Sequence, residues 1–233
     1  MSSTATPIPL LSFRISELST FDYCPKRCKI QCFKQYEVLP EKTGNCMVTG
    51  SQMHRQYTAW MNQTQLTFDR EFIIKQLLKI LIDGAFQRQL DNILIRGVPD
   101  EFRVLTSLLN GQKYISLLEI KTTSRKFMWN CEMRSAALQL QLYIWLLKDA
   151  FEALGYKMWK HHFVEVYSQK SKILMSRIMV EEDPNIEAKI RYIIRAFQGL
   201  APMTMPNKSA CRLCPKIVKI NCPWRQEIEH GHS

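Results

Sequence analysis

No stretch of this sequence is apolar enough for long enough to cross a bilayer as a helix. The most apolar segment, residues 72–86, is broken by Lys75, Lys79 and Asp83, short of the roughly 18 uninterrupted apolar residues a spanning helix needs. A secretory signal is also missing: residues 1–9 are polar and proline-bearing, with no basic stretch leading into an apolar one. A cytoplasmic protein with no membrane partner is therefore expected. Internal repeats and low-complexity tracts are absent, which excludes a solenoid and a disordered polymer. So is G-x-x-x-x-G-K-[ST], which excludes a nucleotide-driven helicase motor. What remains is ordinary globular material: 233 residues, 46% hydrophobic and 23% charged, enough for one substantial core.

Acidic residues are scarce, 21 against 32 Lys and Arg, for a formal charge of +11. Each phosphate neutralised by Lys or Arg releases condensed counterions, so nucleic acid is the favoured partner over an anionic membrane. Disulfides are not expected of a reducing compartment, yet there are eight cysteines. Cys24, Cys28, Cys32 and Cys46 lie near the start, Cys131 stands alone, and Cys211, Cys214 and Cys222 lie near the end. Metal or cluster ligation is the reading this grouping raises.

Periodicity divides the chain. Residues 1–12 read as a loose leader and 16–36 as a helix begun at Ser16, with a break or fresh start at Pro25. A turn is expected at 42–46, then helices over 48–63 and 72–90. Beyond Leu90 the spacing turns to β-type at 93–95, 102–108 and 114–120, with Asn110-Gly111 as a hairpin turn. A long helix over 133–154 ends at Gly155. Strands at 163–167 and 173–180 follow, then a helix after Pro184 that stops near Gly199. This order predicts an α/β domain with a mixed central sheet flanked by helices, both chain ends lying outside it. The divisions are an N-terminal extension (1–45), a core (46–200) and a cysteine-rich tail (201–233).

The chemistry centres on Pro99-Asp100 and Glu119-Ile120-Lys121. Side chains alternate along a strand, so Glu119 and Lys121 share one face while Ile120 points to the other. Treating Asn110-Gly111 as a two-residue turn pairs Asp100 with Lys121 and Phe102 with Glu119. Asp100 is then diagonal to Glu119 on the same face, with backbones about 7–8 Å apart. Two carboxylates converging from there can share Mg2+ or Mn2+, whose ligands are hard oxygens. Such an ion polarises a phosphodiester and activates water, with the lysine orienting that water. An isolated E-x-K is usually an exposed strand end; this one lies in an apolar strand with an aspartate across the turn.

The pattern resembles the PD-(D/E)xK nuclease superfamily, with its restriction-endonuclease-like core, and within it the RecB-like branch. Gly50-Ser51-Gln52-Met53-His54 resembles that branch's G-x-x-x-H, which implies His54 as a further metal ligand beside Asp100 and Glu119. Gln139-Leu140-Gln141-Leu142-Tyr143 resembles its Q-L-x-x-Y, which implies that Gln139 and Tyr143, four apart on one helix face, meet the scissile strand or Lys121. Cys24-Pro25, Cys211-x-x-Cys214 and Cys222-Pro223 resemble the one early and three late cysteines of iron–sulfur members. That implies a cluster, 4Fe-4S before 2Fe-2S, on Cys24, Cys211, Cys214 and Cys222. Four cysteines also suit tetrahedral zinc. Cys28 and Cys32 depart from the pattern as substitute ligands or spare thiols, whereas Cys46 and Cys131 read as small buried hydrophobes.

Size and layout look most like the CRISPR-associated exonuclease that is the fourth numbered Cas protein. The resemblance implies a deoxyribonuclease acting at single-stranded or overhanging DNA ends in spacer acquisition. CRISPR integration proteins and further copies of the chain are the partners it allows. Arg125, Lys126 and Arg134, with Trp129 nearby, are candidates for guiding the strand. Two other readings stand beside it: a non-catalytic iron–sulfur DNA-binding subunit of a nucleoprotein assembly, and a zinc-stabilised endonuclease of restriction type.

Overall fold

The computed structural model describes residues 11–33 and 68–204, together with Cys211, Cys214, Cys222 and Trp224. The turn at 42–46 with Cys46, and the helix over 48–63 with His54, lie outside the described residues.

Of the expected leader only Leu11 and Ser12 are described, and they belong to a strand; the helix expected over 16–36 is broken into shorter pieces. Strand β1 (Leu11–Arg14) runs into a short helix α1 (Ile15–Leu18) and a 3-10 turn (Ser19–Phe21). Phe13, Ile15, Leu18 and Phe21 are buried in the main core. The Glu17 carboxylate accepts the Arg14 N–H at 3.1 Å, satisfying a donor that the helix start leaves open. Pro25 begins a new helix, α2 (Pro25–Cys32), at the position where its missing N–H costs nothing.

Helix α3 (Phe68–Lys79) stops well before Leu90, contrary to the expected single helix over 72–90. Asp83 and Gly84 both take positive φ, 49° and 71°, and close a tight turn bridged between Ile82 and Ala85. The chain then forms β2 (Phe86–Leu90), turns at Asp91 (φ 55°), and returns as β3 (Ile93–Gly97). Asp-Gly is a strong turn signal, and it outweighs the helix-compatible apolar spacing. Strand β3 sits between β1, parallel to it, and β2, antiparallel.

The second sheet carries the site. Strand β4 (Glu101–Thr106) pairs antiparallel with β5 (Lys113–Thr123). Six successive residues of β5, Ile115 to Ile120, are buried on both faces, as a central strand requires. Helix α4 (Asn130–Ala153) crosses over to β6 (Lys157–Met158) and β7 (His162–Ser168), both parallel to β5. Strand β8 (Leu174–Val180) adds antiparallel at the edge, and α5 (Ile186–Phe197) follows. The sheet is mixed and the domain α/β.

Helix α4 buries more than one stripe: Ala136, Leu140, Ile144, Leu147 and Phe151 on one side, and Leu138, Leu142, Trp145 and Leu146 on the other. It packs on β5 and β7 and also meets β2, α1 and α5, so a one-sided apolar face would not have sufficed. Fully burying each of the Leu, Ile and Phe side chains contributes about 1.5–3 kcal/mol. That makes α4 a rigid platform for the polar residues it carries.

Candidate active site

The β4–β5 ladder ends at Thr106 opposite Lys113, leaving six residues in the connection rather than the two expected. Local bonds take over there: the Ser107 hydroxyl accepts the Leu109 N–H, and Asn110 Oδ1 accepts the Gln112 N–H. These side-chain bonds compete with the ladder. Pairing is therefore displaced by two residues, with Glu101 opposite Leu118. A two-residue displacement preserves which face each side chain takes. It brings Asp100 level with Glu119 instead of diagonal to it, and Asp100 Oδ2 accepts the Ile120 N–H at 2.8 Å.

Glu119 is 1% exposed. Its Oε1 accepts a hydrogen bond from Lys121 Nζ at 2.5 Å, while Oε2 is buried with no hydrogen-bond partner. Burial, and after it the Asp100 carboxylate, push the Glu119 carboxyl well above the usual carboxylate range, although Lys121 pulls the other way. Burial would lower the Lys121 ammonium, but Glu119 and Asp100 outweigh it and hold it above its ordinary value. The same ammonium donates to Gln139 Oε1 at 3.0 Å. Lys121 is thus gripped from the strand and from α4.

Tyr143 stands one helical turn beyond Gln139 and is buried. Its hydroxyl lies within hydrogen-bonding reach of Gln139 and the Val98 backbone; burial first, then the Glu119 charge, push its pKa up. It stays a neutral phenol. The ring packs over Gly97: a Cβ placed there would lie 2.7 Å from Tyr143 Cε1. Asp100, Glu119, Lys121, Gln139 and Tyr143 are therefore brought together, and His54 lies outside the described residues.

A positioning pair escaped the sequence reading. Arg70 of α3 bonds Glu101 Oε1 at 2.5 Å and the Phe102 carbonyl at 2.6 Å, both side chains being buried. It pins the start of β4, next to Asp100. The signal was available, because period-2 alternation sends adjacent acids Asp100 and Glu101 in opposite directions, so one of them needed a partner of its own.

The cysteines divide into two groups. Cys24, Tyr23 and Cys131 are buried together, with Trp129 and Trp224 packed against them. Burial first, then among other groups Cys211 and Cys222, raise the Cys24 thiol. Cys214 is pushed up to about 11 by burial, with Cys24, Cys222 and Cys211 adding to it. The four thiols are thus electrostatic neighbours. Among the described residues, however, no three His, Cys, Asp or Glu side chains gather closely enough to hold a metal ion. Cys28 turns into the main core, its Sγ 3.2 Å from the Glu17 carbonyl and 3.9 Å from Cys32 Sγ.

Two candidate strand guides are committed elsewhere. Arg125 donates to both Glu132 oxygens at 2.5 Å and sits over the Trp129 ring. Trp129 is half-buried against Cys24 and Cys131, and its N–H is accepted by Glu132 at 3.0 Å. Lys126 and Arg134 are exposed.

No family model and no curated protein matches this sequence. Among solved structures the chain resembles SSO0001, with a TM-score of 0.56 and 14% identity over 95% of this chain and 89% of that one. The chain shares that fold. At 14% identity the likeness speaks of fold alone. A protein from Eubacterium rectale, solved as "Putative exonuclease", gives a TM-score of 0.44 and 14% identity over 91% of this chain and 88% of that one. No described helix is long and apolar enough to cross a membrane.

Proposed function

We propose that the chain is a divalent-cation-dependent deoxyribonuclease of the RecB-like PD-(D/E)xK kind, removing nucleotides from single-stranded or overhanging DNA ends. The observation that carries this reading is the buried Glu119 carboxyl set against the Asp100 carboxyl, with Lys121 fixed at the same spot. Two carboxylates that share one ammonium leave a negative charge uncompensated, which is costly at a buried spot unless a proton or a cation joins them. The two carboxylates offer hard oxygen donors, which suit Mg2+ or Mn2+. Asp100 and Glu119 would hold that ion, with His54 as a third ligand. When bound, the ion supplies charge for the scissile phosphate and acidifies an attacking water.

The chain's own groups do the rest. Lys121, kept charged by the two carboxylates, holds the water and the charge that develops on the phosphate. Gln139 fixes the ammonium's direction, and Tyr143 fixes Gln139, so the lysine cannot swing away into solvent. Such preorganisation spares reorganisation during the reaction.

Cys24, Cys211, Cys214 and Cys222 would supply the thiolate donors of an iron–sulfur cluster. A cluster held there would tie the tail to α2 and to Trp129. Zinc is the rival occupant. Metal analysis and the visible spectrum of anaerobically purified protein distinguish them, iron with sulfide supporting the cluster and zinc alone overturning it.

A role in CRISPR spacer acquisition, with integration proteins or further copies as partners, belongs to the same proposal. The activity is tested with end-labelled single-stranded and duplex DNA in Mn2+ or Mg2+. We expect progressive loss of terminal nucleotides by the wild type and none by Asp100→Asn. Binding without cleavage by the wild type would favour a non-catalytic DNA-binding subunit instead.

A further inference from the structure

Six residues, 124–129, join the strand that carries Lys121 to the helix that carries Gln139. Within them Phe127 is 65% exposed and belongs to neither group of buried side chains. Exposed apolar residues are common on this chain, but Phe127 is the most exposed aromatic ring among the described residues and stands on the segment that links the two site-bearing elements. Its neighbour Lys126 is exposed as well.

The bend that presents Phe127 is fastened. Arg125 N–H donates to Thr123 Oγ1 at 3.1 Å, and the Arg125 guanidinium grips Glu132 in the first turn of α4. From the other side, the β7–β8 turn is stitched to the end of β5: Gln169 N–H donates to the Thr123 carbonyl at 2.9 Å and Gln169 Nε2 to Thr122 Oγ1 at 3.3 Å. That turn carries Lys170, also exposed. An exposed ring on an anchored bend thus follows Lys126 a few residues beyond the lysine of the site, and Lys170 sits on the turn fastened to the same strand end.

We infer that Phe127 is a stacking platform for an unpaired base of a single-stranded nucleic acid, with Lys126 and Lys170 taking the adjoining phosphates. Resting on the nucleic-acid reading above, this names the residue that selects single strands. Every base has a π-face, whereas in a duplex that face is covered by its neighbours, so an aromatic platform favours unpaired strands. The net charge of +11 supplies the complementary field. Trp129, the aromatic residue the sequence suggests for this role, is instead packed against Cys24 and Cys131.

The experiment measures binding of a labelled single-stranded oligonucleotide and of its duplex to the full-length protein, in EDTA to prevent cleavage. Phe127→Ala should weaken single-strand binding by about 5- to 100-fold and leave duplex binding unchanged. Phe127→Trp should restore it; Phe127→Leu, apolar but not aromatic, should not. Lys126→Ala should weaken both substrates and reduce the salt dependence by about one released counterion. Leu109→Ala, at a still more exposed apolar residue in the β4–β5 connection, should change neither. Unaltered single-strand affinity in Phe127→Ala, equal losses on both substrates, or a wild type that binds no single strand would overturn the inference. A wild type that binds through Phe127 but cleaves nothing would uphold it while removing the nuclease reading.

Discussion

Replacing Gly97 by alanine sets two effects against each other. Gly97 ends strand β3 and has no positive φ, so its backbone is one that alanine adopts freely. Chain entropy alone would therefore make Gly97→Ala stabilising by about 0.4–1 kcal/mol. The new Cβ, however, would lie 2.7 Å from Tyr143 Cε1 and 3.2 Å from both Cβ and Cδ1 of Ile15. Ordinary carbon contacts need about 3.5–4.0 Å, so the ring must retreat by roughly 1 Å. Ile15 is fully buried and Tyr143 nearly so, which leaves little room. Overpacking of this kind costs about 1–3 kcal/mol, and the steric term wins. We expect a net loss of about 1–2 kcal/mol, or a fall in Tm of roughly 2–8 °C for a chain of this size. Activity should suffer more than stability. A displaced Tyr143 releases Gln139 and with it Lys121, and a misplacement near 1 Å can cost about 100-fold in rate. Thermal melts and single-turnover cleavage would be measured together. Adding Tyr143→Leu to Gly97→Ala should recover much of the stability but not the rate. A Gly97→Ala protein that melts at or above the wild-type temperature with full activity would refute this packing.

Without divalent cations, Glu119 should make stability fall as pH rises. Its folded pKa is raised above the unfolded value, so stability is complete at acid pH and is lost as pH climbs toward the folded pKa. Glu119→Gln should flatten that slope in melts with EDTA. The opposite slope belongs to His162, whose burial lowers it to about 4 and whose Nδ1 accepts the Leu117 N–H at 3.0 Å. Between pH 6.5 and 4 the unfolded chain gains a proton that the folded chain refuses, a loss of about 2–3 kcal/mol. His162→Asn, which can keep the accepted bond, should abolish it. Arg70→Met strands a buried Glu101 charge and should cost about 3–5 kcal/mol; denaturant melts check this, and a loss below 1 kcal/mol would contradict it.

Strong local signals carried most of the architecture. The crossover helix ending ahead of Gly155, the long apolar strand and the final helix are legible because periodicity and punctuation agree there. The helix expected over 72–90 failed where they disagree, and Asp83-Gly84 decided the outcome. Around the site, the shared face of Asp100, Glu119 and Lys121 was readable because alternation survives a two-residue displacement. The register itself was not, since Ser107 and Asn110 bond the backbone locally and lengthen the turn. Trp129 shows the other limit: nothing in a sequence distinguishes an aromatic residue packed on a cysteine from one turned to solvent, as Phe127 is.

The claim on which the account depends is that Asp100 and Glu119 share one cation. Mn2+ binding followed by the loss of the free-ion resonance signal tests it without reference to DNA. We expect the wild type to take up Mn2+ more tightly as pH rises and the Glu119 proton leaves, with Asp100→Asn at least about tenfold weaker. Equal affinities in wild type and Asp100→Asn, independent of pH, would contradict it.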